Sequence, residues 1–398
     1  MLKRLLPLAL ATFAVGTDGY VIAGLLPSIA TDLDVSTPVA GQLVTVFALV
    51  LAVSAPVMGA ITSGLNRRSA LLIALSVFVV GNAITALGTG YGVVMIARVV
   101  TAIGAGIITS AASSTAAAIA PAERRGTALA FVLGGLTVAT ALGLPLGTLI
   151  GRTDWHITLW AVAGIGLIAA VGIAVGLPKV TLPAASLTDR LRPLKQGRVL
   201  GLLVVTALAF LGAYTLYTYI GPALRETTGG SDSLLTVILL AWGVGTLAGN
   251  IAAGRLVDRR NPAHVLTATL IIAVLALALT PVATNALTPA LAWAAIWGVT
   301  VGVIVVPQQH RLIVLSPAAA PVLLGLNSSA IYLGVALGGG LGGLVQESFA
   351  IAPAELGLPA AGVTVLALFH HLATARRRTN HTPTTPAPAP ATSEKARG

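Results

Sequence analysis

Two charged residues stand alone inside long apolar stretches of the chain, Asp18 and Arg98. Asp18 falls about thirteen residues into an apolar run spanning 5–30, roughly 20 Å from its start at 1.5 Å per helical residue. A lone carboxylate at that depth in a bilayer costs several kcal/mol unless it is protonated, paired or turned toward water. A carboxyl group so placed can take up and release a proton. The plainer alternative is a carboxylate satisfied by Thr or Ser neighbours. Arg98 sits about a third of the way along the later run 91–118. Its guanidinium keeps its proton and therefore needs a carboxylate, backbone carbonyls or water. It can hold the charge state of Asp18 or bind a substrate; bonding to carbonyls of the first helix is the structural alternative.

A second set of residues suits binding. Phe210, Tyr214 and Tyr217 recur at i, i+4, i+7, and Trp293 and Trp297 lie one turn apart. Asn327, Ser328, Ser329 and Tyr332 share one apolar run, and Gln42 and Thr45 share another. An aromatic cavity with a few hydrogen-bonding groups fits a small amphiphilic molecule, although Tyr and Trp also anchor helices at membrane interfaces. Gln308, Gln309, His310 and Arg311 close one helix. His310 has the side chain that titrates near neutrality, but a solvated role is expected for it near the cytoplasm.

The elements that must hold these residues are membrane helices. The chain is 56% hydrophobic and 9% charged, against about 25% charged in soluble domains. Its mean hydropathy of +0.94 leaves far more apolar surface than a soluble core can hide. Twelve helices are expected, at 5–30, 39–63, 69–89, 91–118, 127–150, 156–178, 199–224, 233–256, 262–283, 286–312, 318–345 and 356–373. The first run is too long for a signal peptide and has no convincing cleavage site, so it reads as a membrane helix. The fold class is an all-α membrane protein. The expected division is a first six-helix bundle over 1–178, a basic cytoplasmic linker over 179–198, a second bundle over 199–374 and a disordered cytoplasmic tail over 375–398.

Charge location sets the orientation. With the termini and even-numbered loops on the cytoplasmic side, 20 of the 23 Lys and Arg residues lie inside; Arg152 and Arg225 lie outside, and Arg98 is within a helix. This positive-inside bias accounts for the net charge of +11 without a nucleic-acid partner. A bacterial inner membrane is the expected location, and a monomer the expected state. The partners are the lipid bilayer, a small-molecule substrate and protons. No cysteine is present, so disulfides and thiolate metal sites are excluded; no metal or cofactor is expected. A phosphate-binding Gly-x4-Gly-Lys-Ser/Thr loop, a His/Glu protease cluster and a potassium-filter pattern are all missing, so neither an ATP-driven pump nor an enzyme is expected.

The chain also repeats itself. Ala141-Leu-Gly-Leu-Pro-Leu-Gly-Thr-Leu149 aligns with Ala336-Leu-Gly-Gly-Gly-Leu-Gly-Gly-Leu344, 195 positions on, and the same shift carries Gly59 onto Gly254 and Asn66 onto Asn261. Two segments agreeing on one shift mean two fused, similar halves, the usual build of a transporter that rocks about a midplane cavity. The turns at Gly59–Arg68 and Gly254–Pro262 place Arg67, Arg68, Asp258 and Arg259 where they can latch one arrangement of the halves. Gly143, Pro145 and Gly147 in helix 5 are candidate sliding or bending points, with close packing an equal explanation.

These residues resemble the major facilitator superfamily, in its twelve-helix drug:proton antiporter branch. In that family the loop between helices 2 and 3 reads Gly-x-Leu-Ala-Asp-Arg-x-Gly-Arg-Lys. Gly59, Arg67 and Arg68 fit it, Ser63 replaces the Asp, Asn66 replaces the second Gly, and the second-half copy keeps Asp258. Arg98 matches the family's helix-4 Arg, implicated there in proton coupling. Gly143-Leu-Pro-Leu-Gly147 resembles the helix-5 antiporter signature with one residue inserted. Gly16-Thr-Asp-Gly-Tyr-Val-Ile-Ala-Gly-Leu-Leu-Pro27, Ala120-Pro-Ala-Glu-Arg-Arg-Gly126 and Leu326-Asn-Ser-Ser329 look most like the subgroup of chloramphenicol and sugar exporters. The resemblance implies two six-helix bundles that alternate between inward-open and outward-open, and proton-driven export of a small organic compound or drug. A sugar or nucleoside exporter of the same fold is the alternative; a non-transporting signalling or scaffold protein is the alternative from another class.

Overall fold

The computed structural model describes residues 2–121, 124–181 and 186–379. No strand occurs among them. Twelve apolar helices cross the expected slab: α1 (Leu2–Asp32), α2 (Thr37–Ile61), α3 (Arg67–Leu87), α4 (Tyr91–Ile119), α5 (Arg125–Ile150), α6 (Trp155–Gly176), α7 (Gly197–Tyr217), α8 (Asp232–Arg259), α9 (Pro262–Ala278), α10 (Leu287–Leu315), α11 (Ala320–Phe349) and α12 (Gly357–Thr379). Eleven helices are long and apolar enough to span a bilayer, and the shorter apolar helix Pro262–Ala278 completes the set. Large apolar side chains such as Ile96, Leu167, Ile168, Val175 and Leu366 point outward, as a lipid-facing surface requires.

Local chemistry sets the helix ends. The Asn66 side chain caps α3 by accepting from the Arg68 N–H at 3.0 Å, and Asn261 caps α9 by accepting from the Ala263 N–H at 2.9 Å. The repeated Asn residues are therefore paired N-caps. Asp154 caps α6 and Ser231 caps α8 in the same way. Prolines explain two early stops. The sequence predicts a helix over 199–224, yet α7 ends at Tyr217 and short turns follow at Ile220–Ala223 and Arg225–Thr228, because Pro222 has no N–H for the carbonyl four residues back. Pro281 acts likewise beyond α9, where the orphaned Leu277 carbonyl accepts from the Thr280 hydroxyl at 2.7 Å. In α5, Pro145 leaves the Ala141 carbonyl unclaimed, and Ala139–Gly143 widens into a π turn. The last helix runs through Thr379, into the region expected to be tail; residues 380–398 lie outside the described residues, as do 122–123 and 182–185.

Packing repeats with the sequence. In the first bundle α1 packs on α5 and α6, α2 on α4, and α3 on α4 and α6. The second bundle reproduces each pair six helices later: α7 on α11 and α12, α8 on α10, and α9 on α10 and α12. The bundles meet through a symmetric pair of contacts, α2 on α11 and α5 on α8. At Gly243 the backbone of α8 presses on the π turn of α5. A Cβ there would stand 2.5 Å from the Thr140 oxygen and 2.8 Å from the Ala141 Cα, so only glycine fits.

The contacts between bundles lie toward the end opposite the termini. There Gly41 faces Tyr219, Gly339 faces Thr45, Gly343 faces Gln42 and Gly221 faces Pro27. Toward the terminal end, Gly134, Gly254 and Gly325 have open space beside them. The contacts named here between the halves therefore gather toward the end opposite the termini.

Candidate functional site

The first bundle joins the two isolated charges. Arg98 Nη1 donates to Asp18 Oδ1 at 2.8 Å, linking α4 to α1, and neither side chain has any solvent exposure. Arg98 therefore takes the carboxylate and not the carbonyls of α1. The guanidinium also lies 4.1 Å above the Phe47 ring of α2, a cation–π contact. The Phe47 partner was missed in the sequence, where an aromatic among apolar residues carries no signal of what it faces. The pair is incompletely satisfied: Asp18 Oδ2, Arg98 Nε, Arg98 Nη2 and the neighbouring Thr17 hydroxyl have no hydrogen-bond partner. Buried polar atoms left open in a low dielectric are costly and call for a partner. Protonating Asp18 would remove the charge that holds Arg98, so proton occupancy and the α1–α4 link are mutually exclusive in their strongest forms.

An aromatic group of the second bundle meets α1 at Tyr20, two residues along from Asp18. Tyr20 of α1 meets Tyr217 of α7 edge-on at 6.2 Å. Tyr217 then packs on Tyr214 at 4.9 Å and on Trp242 at 4.5 Å, and Trp242 meets Trp297 at 5.8 Å. Phe210 stacks on Tyr214 at 6.3 Å. Tyr217, Trp242 and Trp297 keep unpartnered buried donors. Trp242 was not anticipated, because a single Trp in α8 has no periodic companion in the sequence. Trp293 differs from its neighbours: its indole N–H donates to the Ala276 carbonyl of α9 at 2.8 Å, which ties it to bundle packing.

The remaining binding candidates divide by location. Gln42 and Thr45 lie on the α2–α11 contact, against Gly343 and Gly339. Tyr332 is half-buried against both bundle cores. Asn327 is fully buried and accepts from the Thr206 hydroxyl at 2.9 Å. It begins a polar chain toward the terminal end: Gln308 donates to Thr206 at 3.0 Å, and Arg311 donates to Gln308 at 3.0 Å and meets His371 at 3.1 Å. Arg311 and Gln308 are buried inside α10, whereas His310 is exposed. His371 gave no sequence signal, since its place near the end of the last helix reads as surface.

The two repeated turns also differ. In the first, Arg67 is buried and donates to the Ser63 carbonyl at 2.6 Å, and Arg190 of the linker donates to the Gly59 carbonyl at 3.0 Å. Burial lowers the Arg190 pKa from its ordinary value. Arg68 is half-buried. In the second turn, Asp258 and Arg259 are exposed, make no ion pair among the described residues, and Gly254 has nothing beside it. Gly143 packs on Thr17 and Gly147 on Val21 and Thr158, all within the first bundle, with Pro145 buried between them.

An open cleft of about 710 Å³ lies at the end opposite the termini, lined by Asp32, Arg152, Asp154 and His156 from the first half and by Arg225 and Asp232 from the second. Asp32 is fourteen residues beyond Asp18 on α1, roughly 21 Å along the helix, so the cleft is remote from the ion pair.

The family model described as Major Facilitator Superfamily matches residues 8–339, and matches again over 202–396. The chain is 34% identical over 370 residues to the inner membrane transport protein YdhP of Escherichia coli O157:H7, covering 92% of this chain and 95% of that protein. It is 39% identical over 265 residues to a chloramphenicol resistance protein of Streptomyces lividans, covering 65% of this chain and 67% of that protein. The crystal structure of a D-xylose-proton symporter superposes with a TM-score of 0.76 at 17% identity, covering 94% of this chain and 97% of that one.

Proposed function

The chain belongs to the major facilitator superfamily, and from that premise we propose that it is a proton-coupled exporter of a small organic molecule, working by alternating access. The observation that carries this reading is the fully buried Asp18–Arg98 pair at 2.8 Å, with open hydrogen-bonding atoms on both partners, on the helix whose Tyr20 meets the aromatic cluster. In the mechanism, Asp18 takes a proton from the outer side and releases its hold on Arg98. With Asp18 neutral and Arg98 still positive, the released pair favours reorientation to the inward-open arrangement. Substrate then binds from the cytoplasm between the Asp18–Arg98 pair and the Tyr214, Tyr217 and Trp297 faces, the proton leaves, and the reclosed pair favours return. Likeness to a protein named for chloramphenicol resistance favours efflux of an antibiotic-sized compound.

With both termini on the cytoplasmic side, as the distribution of Lys and Arg favours, the Gly41–Tyr219 and Gly339–Thr45 contacts lie in the outer half of the molecule. The working units are the bundles at 1–178 and 199–374, joined by the linker at 179–198, and a single copy carries the whole pathway. The test is proton flux in proteoliposomes, wild type against Asp18→Asn, over a panel of antibiotics and sugars. Substrate-triggered proton movement in wild type, lost in the variant, is the expected result. Substrate movement with unchanged coupling in the variant removes Asp18 from the mechanism, and no movement with any compound favours a non-transporting role.

A further inference from the structure

The turn between α2 and α3 holds two cations without an acid. Arg67 is 4% exposed, and Arg190 of the linker helix Leu187–Leu191 lies close enough to repel it. Each guanidinium spends one N–H on a carbonyl at the end of α2, Arg67 on Ser63 and Arg190 on Gly59. The α2 dipole offsets part of their charge. Each also keeps a buried Nε with no partner, and no carboxylate pairs with either among the described residues. The repeat identifies what is missing. Asp258 of the second half stands 195 positions beyond Ser63, which is a serine whose hydroxyl turns back onto the Ala60 carbonyl at 2.6 Å. The first half thus has a hydroxyl at the place where its copy has a carboxylate, and has gained a second arginine from the linker.

The linker is fixed there by more than charge, since the Arg67 backbone N–H donates to the Val180 carbonyl at 2.7 Å. The two guanidiniums are therefore held at the adjoining ends of α2 and α3, the end at which a lipid headgroup would lie if these helices span the bilayer. A buried and a half-buried cation left without an anion are costly, and basic pockets between membrane helices suit phosphate.

We propose that Arg67 and Arg190 form a binding site for a phosphate group, which supplies the negative charge that Ser63 lacks. The group comes from an anionic phospholipid headgroup or from soluble phosphate. Binding at this site can be read without a transport assay. The experiment is native mass spectrometry of the full chain in mild detergent, titrated with phosphatidylglycerol, phosphatidylcholine or inorganic phosphate. Wild type is compared with Arg190→Gln and Ser63→Asp. Wild type should retain phosphatidylglycerol at about tenfold lower concentration than either variant, the effect of losing one or two charge-assisted hydrogen bonds. Ser63→Asp is the sharper variant, because it leaves both arginines and the linker in place and fills the site from within. Millimolar inorganic phosphate that displaces the lipid from wild type alone supports the same site with a soluble source. Equal retention of both lipids by all three proteins, with no effect of phosphate, overturns the proposal.

Discussion

The two bundles share a scaffold and divide the chemistry. Six-helix packing, the Asn66 and Asn261 caps and the small residues of α5 and α11 recur at one shift. The polar centre does not recur. Moving 195 positions from Asp18 leads to Ala213, and from Arg98 to Trp293, so the second bundle has an apolar and an aromatic residue where the first has an ion pair. The first bundle carries charge that a proton can erase. The second bundle meets α1 with aromatic faces, through Tyr217 on Tyr20, and keeps its own buried polar chain, Asn327 to His371, near the terminal end. Duplication preserved glycines at positions of close helix packing, since a Cβ there collides, and left the central positions of the two bundles free to differ.

The largest test of this contrast is thermal unfolding of ion-pair variants in detergent. Asp18→Asn or Arg98→Gln alone should cost about 3–5 kcal/mol, because each leaves a buried charge or its orphaned partner. The double variant should cost far less than the sum, and strict additivity would mean that the two groups are not coupled. Next comes the contact between bundles. Gly243→Leu should press on Thr140 and Ala141 and cost about 1–3 kcal/mol in the arrangement described. The chain has no cysteine, so a disulfide reporter pair placed at Gln42 and Gly343 has no background, and its cross-linking yield should fall in the Gly243→Leu variant. An unchanged yield would show that this glycine does not govern closure.

Smaller effects separate binding from packing inside the aromatic group. Trp293→Phe removes the 2.8 Å bond to the Ala276 carbonyl and should cost about 1 kcal/mol of stability while leaving substrate affinity in place. Loss of affinity without loss of stability would return Trp293 to the cavity. The smallest effect is at the outer loop. Asp154 accepts from the His156 ring and backbone N–H, which lowers its pKa below the model-peptide value of 3.8. A depressed carboxylate contributes stability above its unfolded pKa and loses it as pH falls through the folded one. Wild type should therefore exceed Asp154→Asn slightly at neutral pH, with the gap closing below pH 3.8.

Much of the fold was legible because its signals are local. Apolar runs of span length gave the helices and one repeated shift gave the two halves, while the stops before Pro222 and Pro281 were read through because both lie inside apolar runs. Asp18 and Arg98 were legible as lone charges in apolar surroundings, but their pairing was one of several outcomes the sequence allowed. What lay hidden depends on contacts far apart in the chain. Phe47 under Arg98, Arg190 on Gly59 and His371 beside Arg311 each join residues separated by 50 positions or more. Gln42 and Thr45 show the converse: polar residues in an apolar helix suggested a cavity, and they pack on the glycines of α11 toward the end opposite the termini.

The most direct measurement separates exchange from accumulation in one preparation. Proteoliposomes loaded with a transported compound report substrate-for-substrate exchange without a pH gradient and uphill movement with one. If the first bundle couples the proton and the second bundle shapes the cavity, Asp18→Asn should keep exchange and lose gradient-driven accumulation. Accumulation at wild-type levels in Asp18→Asn would contradict the account.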